Sequence, residues 1–247
     1  VLEHFPEIRD AMVERDWDFM SHGIYNTRYS YEMDEAQERA IMEDSLESVM
    51  KATGQKLAGY LAPALTHTER TMDLLAEYGF LYTCDLFQDD TPQPVNVKKE
   101  RLISMPYSLE INDIIVYNSY FGTPRRYGQM IKDQFDQLLV EGEDCGTVMC
   151  IPLHAYAVGH PHRIGGFADQ RDVICGLARL DVPHHQTARV EVPLLLGVGG
   201  AIEDFQAGFV NRVPSFRGKV APIFVCEEGD EGGPILMLSG GAIPAFV

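Results

Sequence analysis

The feature that most constrains this chain is a regular alternation of strand-like and helix-like segments across residues 1–181. Phe5–Arg15 reads as a helix, with Pro6 suited to its first turn and Ile8, Ala11 and Met12 at helical spacing. A short strand at Trp17–Met20 follows. Asp34 with Gln37 three residues on has the form of a capping box, and Ile41, Leu46, Val49 and Met50 make an apolar face that stops at Gly54. Next come a strand at Lys56–Leu61, a helix at Glu69–Tyr78 ended by Gly79, and an apolar strand at Phe80–Cys84. Beyond a polar loop at Gln88–Lys99, strands are expected at Leu102–Pro106 and Ile111–Tyr117. Arg125–Val140 has Met130, Ile131, Phe135, Leu138 and Leu139 on one side of a helix, and Thr147–Leu153 is a near-continuous apolar strand of the buried parallel kind. A last helix is expected at Phe167–Arg179.

Strands alternating with helices indicate a parallel α/β sheet or a (β/α) barrel. The barrel is preferred because His22, Pro63, Asp85 and His154 each fall just beyond the C-terminal end of a different expected strand. In a barrel those ends converge on the face where active sites are built. Residues 1–187 are therefore expected to form one domain. From 188 to 247 the chain changes character, becoming rich in Gly, Pro and short aliphatic clusters without helix-length periodicity, and reads as an irregular C-terminal extension. Its Gly-Val-Gly-Gly and Gly-Asp-Glu-Gly-Gly stretches lack the strand-to-helix setting of a phosphate-binding loop.

Charge and cysteine content narrow the function classes. With 20 Lys and Arg against 37 Asp and Glu the formal charge is −17, a field that repels polyphosphate backbones and anionic membranes. Neither nucleic acid nor a membrane is expected as a partner, and a small-molecule substrate is. Assembly into a homo-oligomer stays open. The five cysteines are scattered and contain no C-x-x-C pair, so neither a disulfide framework nor a thiolate zinc site is indicated, and a reducing cytoplasm fits. The first twenty residues carry charges throughout, without an apolar run of signal-peptide length.

Several segments carry groups that can do chemistry. His22 and Asn26 are four residues apart, so a helical turn would aim both at one point, where imidazole and amide oxygen can bind a divalent metal. Alternatively both satisfy loop backbone groups. His154, after a buried strand, suits a general acid because an imidazole exchanges its proton near neutral pH, or it bonds a neighbouring carbonyl as a structural histidine. Asp85, Asp89 and Asp90 place carboxylates in one loop, where crowding can raise a carboxyl's pKa, or where they cap turns. Tyr107, Glu110 and Asn112 either line a pocket or close a loop. No G-x-S-x-G elbow is present, which leaves a serine hydrolase without support.

Taken in order, these segments resemble the polysaccharide deacetylase (NodB homology) superfamily, in its branch of allantoinase-like and cyclic imide hydrolases. Ser21-His22 with Asn26 is similar to the second family motif, H-[ST]-x-x-[HN]. Gly59-Tyr60-Leu61-Ala62-Pro63 stands in the place of R-x-P. Cys84-Asp85 through Asp89-Asp90 and Pro92 resembles the fourth motif, and Leu153-His154 with Gly159 and Pro161-His162-Arg163 the fifth. The resemblance implies a distorted (β/α) barrel and hydrolysis of a non-peptide C–N bond in a small amide, ureide, cyclic imide or N-acetyl sugar, the last within carbohydrate metabolism. It further implies His154 as the general acid, Pro63, Asp85, Asp89 and Tyr107 around the substrate, and His22 with Asn26 as ligands only where a metal is bound. No cofactor is expected, with zinc as the alternative. Three differences stand out: no T-[FY]-D-D occurs in the sequence, Leu61 replaces the motif-three Arg, and Gly23 replaces Ser or Thr. The first motif is expected upstream of Val1, in which case the barrel is incomplete at its N-terminus. The competing expectation is a catalytically silent truncated barrel serving as a binding or assembly subunit.

Overall fold

The computed structural model describes residues 2–14, 17–24, 28–142, 145–166, 220–227 and 235–239. Helix α1 (Pro6–Glu14) and strand β1 (Asp18–Ser21) lead into α2 (Glu35–Thr53). The capping box of α2 is formed as expected: Gln37 N–H donates to Asp34 Oδ1, and Asp34 N–H donates to Gln37 Oε1, both at 2.9 Å. Gly54 closes the helix in the left-handed region, at φ 76°. Then follow β2 (Gly59–Tyr60), α3 (Thr71–Glu77), β3 (Tyr82–Thr83), β4 (Gln93–Pro94), β5 (Ile103–Ser104), α4 (Pro124–Glu141), β6 (Thr147–His154) and α5 (Ala155–Val158). Two segments of the C-terminal extension, β7 (Val220–Glu227) and β8 (Ile235–Ser239), complete the described strands. The helix expected at Phe167–Arg179 lies outside the described residues.

The strands form one α/β sheet in the order β4-β5-β3-β2-β1-β8-β7-β6. Strands β1, β2, β3 and β5 run parallel. Strand β8 is antiparallel to both β1 and β7, and β7 is parallel to β6, so β6 points the same way as β1. The C-terminal ends of β1, β2, β3, β5 and β6 therefore share one end of the sheet.

Alternating side chains sort the core into layers. Along β6, Met149, Ile151 and Leu153 pack on α4 through Ile131, Phe135 and Leu138, while Val148 and Cys150 point the other way. There they meet Met20 of β1, Leu61, Tyr82, Cys84 and Met105. Residues from both halves of the sheet share this cluster, so the sheet curls around it. A backbone bond from Val148 N–H to the Asp90 carbonyl, 2.8 Å long, ties the loop after β3 to β6. The order nevertheless ends at β4 and β6, and among the described residues no strand pairing joins the two. A third cluster covers the outside of β1 and β2 with α1, α2 and α3, through Met12, Phe19, Met42, Val49, Tyr60, Leu74 and Leu75.

One expected element is different in kind. Ile111–Tyr117 is not a strand: the chain turns helical at Asp113 and continues as a π-helix at Ile115–Ser119. Asn112 explains the start, because its Oδ1 accepts the backbone N–H of Ile114 at 2.9 Å and of Ile115 at 3.4 Å, as an N-cap side chain does. Val116 and Tyr117 then pack against Tyr127 and the rest of the α4 cluster. Tertiary packing overrides the strand preference of the Ile-Ile-Val run.

Candidate active site

Two polar assemblies sit at the shared C-terminal end of the strands. The first joins β1, β2 and β3. His22, one residue beyond β1 and 3% exposed, places Nδ1 2.6 Å from the Leu61 carbonyl oxygen. The next N–H along, that of Ala62, donates to Asp85 Oδ1 at 2.7 Å. Thr83 Oγ1 donates to Asp85 Oδ2 at 3.1 Å and accepts from the Asp85 N–H at 3.2 Å. Asp85 is wholly buried, and burial pushes its carboxyl up to about 7 against the opposing pull of the Ala62 and Thr83 bonds. Beside it, burial drives the Cys84 thiol well above its ordinary range, with Cys150 and Asp85 adding to the effect. Cys84 is thus a packed thiol rather than a thiolate nucleophile.

The second assembly joins β6 to the loop after β5. His154, the last residue of β6, is 3% exposed. The carboxylate of Asp113 holds it twice: Nδ1 lies 2.5 Å from Oδ1, and the His154 backbone N–H donates to Oδ2 at 2.9 Å. A carboxylate that grips both the ring and the main chain of one residue fixes the ring's orientation and places its proton on Nδ1. Asp113 itself is fully buried and rigidly presented. Asn112 caps the helical turn, its Nδ2 donates to Tyr107 Oη at 2.9 Å, and Tyr127 Oη donates to the Ile111 carbonyl at 3.0 Å. The Tyr156 ring meets the His154 ring edge-on, with centroids 5.3 Å apart.

The other expected site residues take varied positions. Pro63 is buried and opens a short 3-10 turn within which Ala64 and Leu65 both adopt left-handed φ values of 53° and 57°. Strained backbone of this kind clusters at functional sites. Tyr107 is buried, with its hydroxyl accepting from Asn112. Asp89 is exposed, and bonds from the Thr91 N–H and hydroxyl hold its carboxyl below the ordinary range. Asn26 lies outside the described residues. Among the described residues no three His, Cys, Asp or Glu side chains converge as a metal site. Catalytic zinc takes three protein ligands, so the described donors do not assemble such a centre.

Asp113 was not singled out by the sequence reading. The signal was present in the Asn112-Asp113 pair, since Asn is a helix-capping residue and an aspartate just inside a cap is held in a defined direction. The β-branched run that follows concealed it.

No protein-family profile matches the chain. Among curated proteins it is similar to the peptidoglycan deacetylase of Helicobacter pylori, with 31% identity over 113 residues, spanning 45% of this chain and 38% of that protein. Among solved structures it resembles a probable polysaccharide deacetylase from Pseudomonas aeruginosa PAO1, at a TM-score of 0.63 and 29% identity over 69% of this chain and 57% of that one. It also resembles Puue allantoinase, at a TM-score of 0.60 and 29% identity over 71% of this chain and 58% of that one. The chain thus spans less than two thirds of each of these proteins. Sequence and fold agree in direction, and together these likenesses support assigning this chain to the polysaccharide deacetylase (NodB homology) superfamily.

Proposed function

We propose that this chain is a hydrolase of carbon–nitrogen bonds other than peptide bonds, acting on a small amide, ureide, cyclic imide or N-acetyl sugar. The observation that carries the reading is the buried Asp113–His154 pair at a strand end of this superfamily's fold. Asp113 keeps the Nδ1 proton and the ring's direction, so Nε2 is the atom that exchanges a proton with substrate. In the reaction a water oxygen bonds to the carbonyl carbon as the water's proton passes to Nε2 of the neutral imidazole, giving a tetrahedral oxyanion and an imidazolium. The C–N bond then breaks as the imidazolium Nε2–H passes its proton to the departing nitrogen. His22 with Asn26 would hold a metal here if one were bound, and it would supply activation of the water. The described residues do not complete that donor set.

The same reading gives the curled sheet as the superfamily's distorted (β/α) barrel, with residues 1–187 as its domain and 188–247 as an extension that lends it strands. Pro63, Asp89 and Tyr107 stay as candidates around the substrate. A small-molecule substrate, a role in carbohydrate metabolism and a cytoplasmic site complete it, the last supported by free thiols at Cys84 and Cys145. Among the described residues no helix is long and apolar enough to cross a membrane.

The test is a panel of substrates: N-acetylglucosamine oligomers followed by acetate release, allantoin by ring opening, and hydantoin and succinimide by loss of ring absorbance. Turnover of at least one, abolished by His154→Asn, is the expected result. A folded protein inert toward all of them contradicts the reading.

A further inference from the structure

One peptide group at the end of β2 is gripped on both sides by buried polar side chains. Its carbonyl, from Leu61, faces His22 Nδ1 at 2.6 Å. Its N–H, from Ala62, donates to Asp85 Oδ1 at 2.7 Å. A carbonyl oxygen can only accept, so the His22 nitrogen that faces it carries the proton and the neutral ring is the Nδ1–H tautomer.

The neighbouring backbone explains why side chains are used here. Leu61 N–H donates to the Ser21 carbonyl at 2.8 Å, and Cys84 N–H to the Tyr60 carbonyl at 3.0 Å. Beyond these rungs β1, β2 and β3 have ended, and His22 and Asp85 supply the next rung on either side of β2. The carboxylate is itself anchored to its own strand end by Thr83. An N–H that donates to a carboxylate polarises its peptide group, which makes the carbonyl on the other end a stronger acceptor. Asp85 and His22 hold opposite ends of one amide, so each feels the other through it.

We infer that Asp85 is a positioning residue for His22, locking the imidazole's orientation and its Nδ1–H tautomer through the Leu61–Ala62 peptide. Complete burial and two occupied oxygens set Asp85 behind the site rather than against substrate. The tautomer leaves Nε2 as the ring's acceptor atom. That this matters for turnover rests on the reading that His22 belongs to the active site; the hydrogen-bonded chain does not.

The experiment is NMR of protein labelled with 15N at histidine, at pH 8. In the wild-type protein His22 shows the Nδ1–H tautomer with a downfield, slowly exchanging Hδ1. In Asp85→Asn an amide oxygen can still accept from Ala62 but carries no charge, and exchange of Hδ1 is expected to be roughly tenfold faster, in line with the weaker bond made to a neutral acceptor. Asp85→Ala removes the acceptor and is expected to mix the tautomers. Rescue is thus graded, Asp above Asn above Ala, which a merely space-filling Asp85 would not produce. An unchanged Hδ1 signal in a folded Asp85→Asn protein overturns the inference. So does a wild-type His22 protonated at Nε2, which needs no variant to fold. None of these signals requires turnover, so failure here is distinguishable from failure of the hydrolase reading.

Discussion

At the scale of single residues, the Asp113 carboxylate makes two bonds to one histidine, and its effect is separable from simple packing. Asp113→Asn keeps the shape and can still accept the His154 backbone N–H, but an amide no longer favours the Nδ1 proton on the ring. The expected outcome is a loss in kcat of roughly 10²–10⁴ with KM little changed and a melting temperature close to wild type, read by steady-state kinetics and thermal denaturation. Asp85 makes a prediction about pH instead. Its folded value, near 7, lies above the ordinary carboxylate value of 3.8, so the native state holds a proton that the unfolded chain has released. Stability linked to Asp85 is therefore present below pH 4 and lost as pH rises toward 7, with a limit on the order of 4 kcal/mol. Other carboxylates, such as Asp73 and Asp89, are shifted the opposite way and slope the opposite way. The informative quantity is consequently the difference between wild type and Asp85→Asn. Denaturant unfolding from pH 4.5 to 8 should show the variant gaining on wild type as pH rises, and a constant difference would contradict the raised value.

Among the elements, β2 passes close beneath an aromatic ring. A Cβ built on Gly59 would lie 2.2 Å from Cζ of Tyr82 on the neighbouring strand, whose ring is buried. Gly59→Ala should cost roughly 1–3 kcal/mol by overpacking, measured by urea denaturation, and Tyr82→Phe alone should not relieve it, because ring carbons also stand in the way. The helical elements were readable from local chemistry. The capping box of Asp34 and Gln37, the glycine stop at Gly54 and the apolar stripe of α4 each act within a few residues, so their meaning survives without the rest of the fold. The Asn112 cap that starts the turn is local, but its continuation as a π-helix at Ile115–Ser119 was not readable, since Val116 and Tyr117 pack against Tyr127, which lies on α4 and pins the preceding Ile111 carbonyl. The same holds for β7 and β8, where strand pairing with β6 and β1 depends on partners far away in sequence.

For the whole molecule, a parallel arrangement carries chemically capable side chains to one end because every strand from β1 to β6, β4 apart, points the same way. That is why His22, Asp85 and His154 could be proposed from sequence: each needs only a strand boundary and a polar residue beyond it. The partners of these residues could not be, because Leu61 beside His22 and Asp113 beside His154 come from other elements. The central claim, that His154 is the acid of a C–N hydrolase, is tested most directly by the kinetics of His154→Asn on whichever substrate of the panel turns over. Asparagine keeps a similar size and some hydrogen bonding but cannot titrate. The expected result is a kcat lower by roughly 10²–10⁴, nearly unchanged KM and unchanged thermal stability. A variant that keeps near-normal kcat, or that loses activity only because it unfolds, would make His154 a structural histidine and contradict the account.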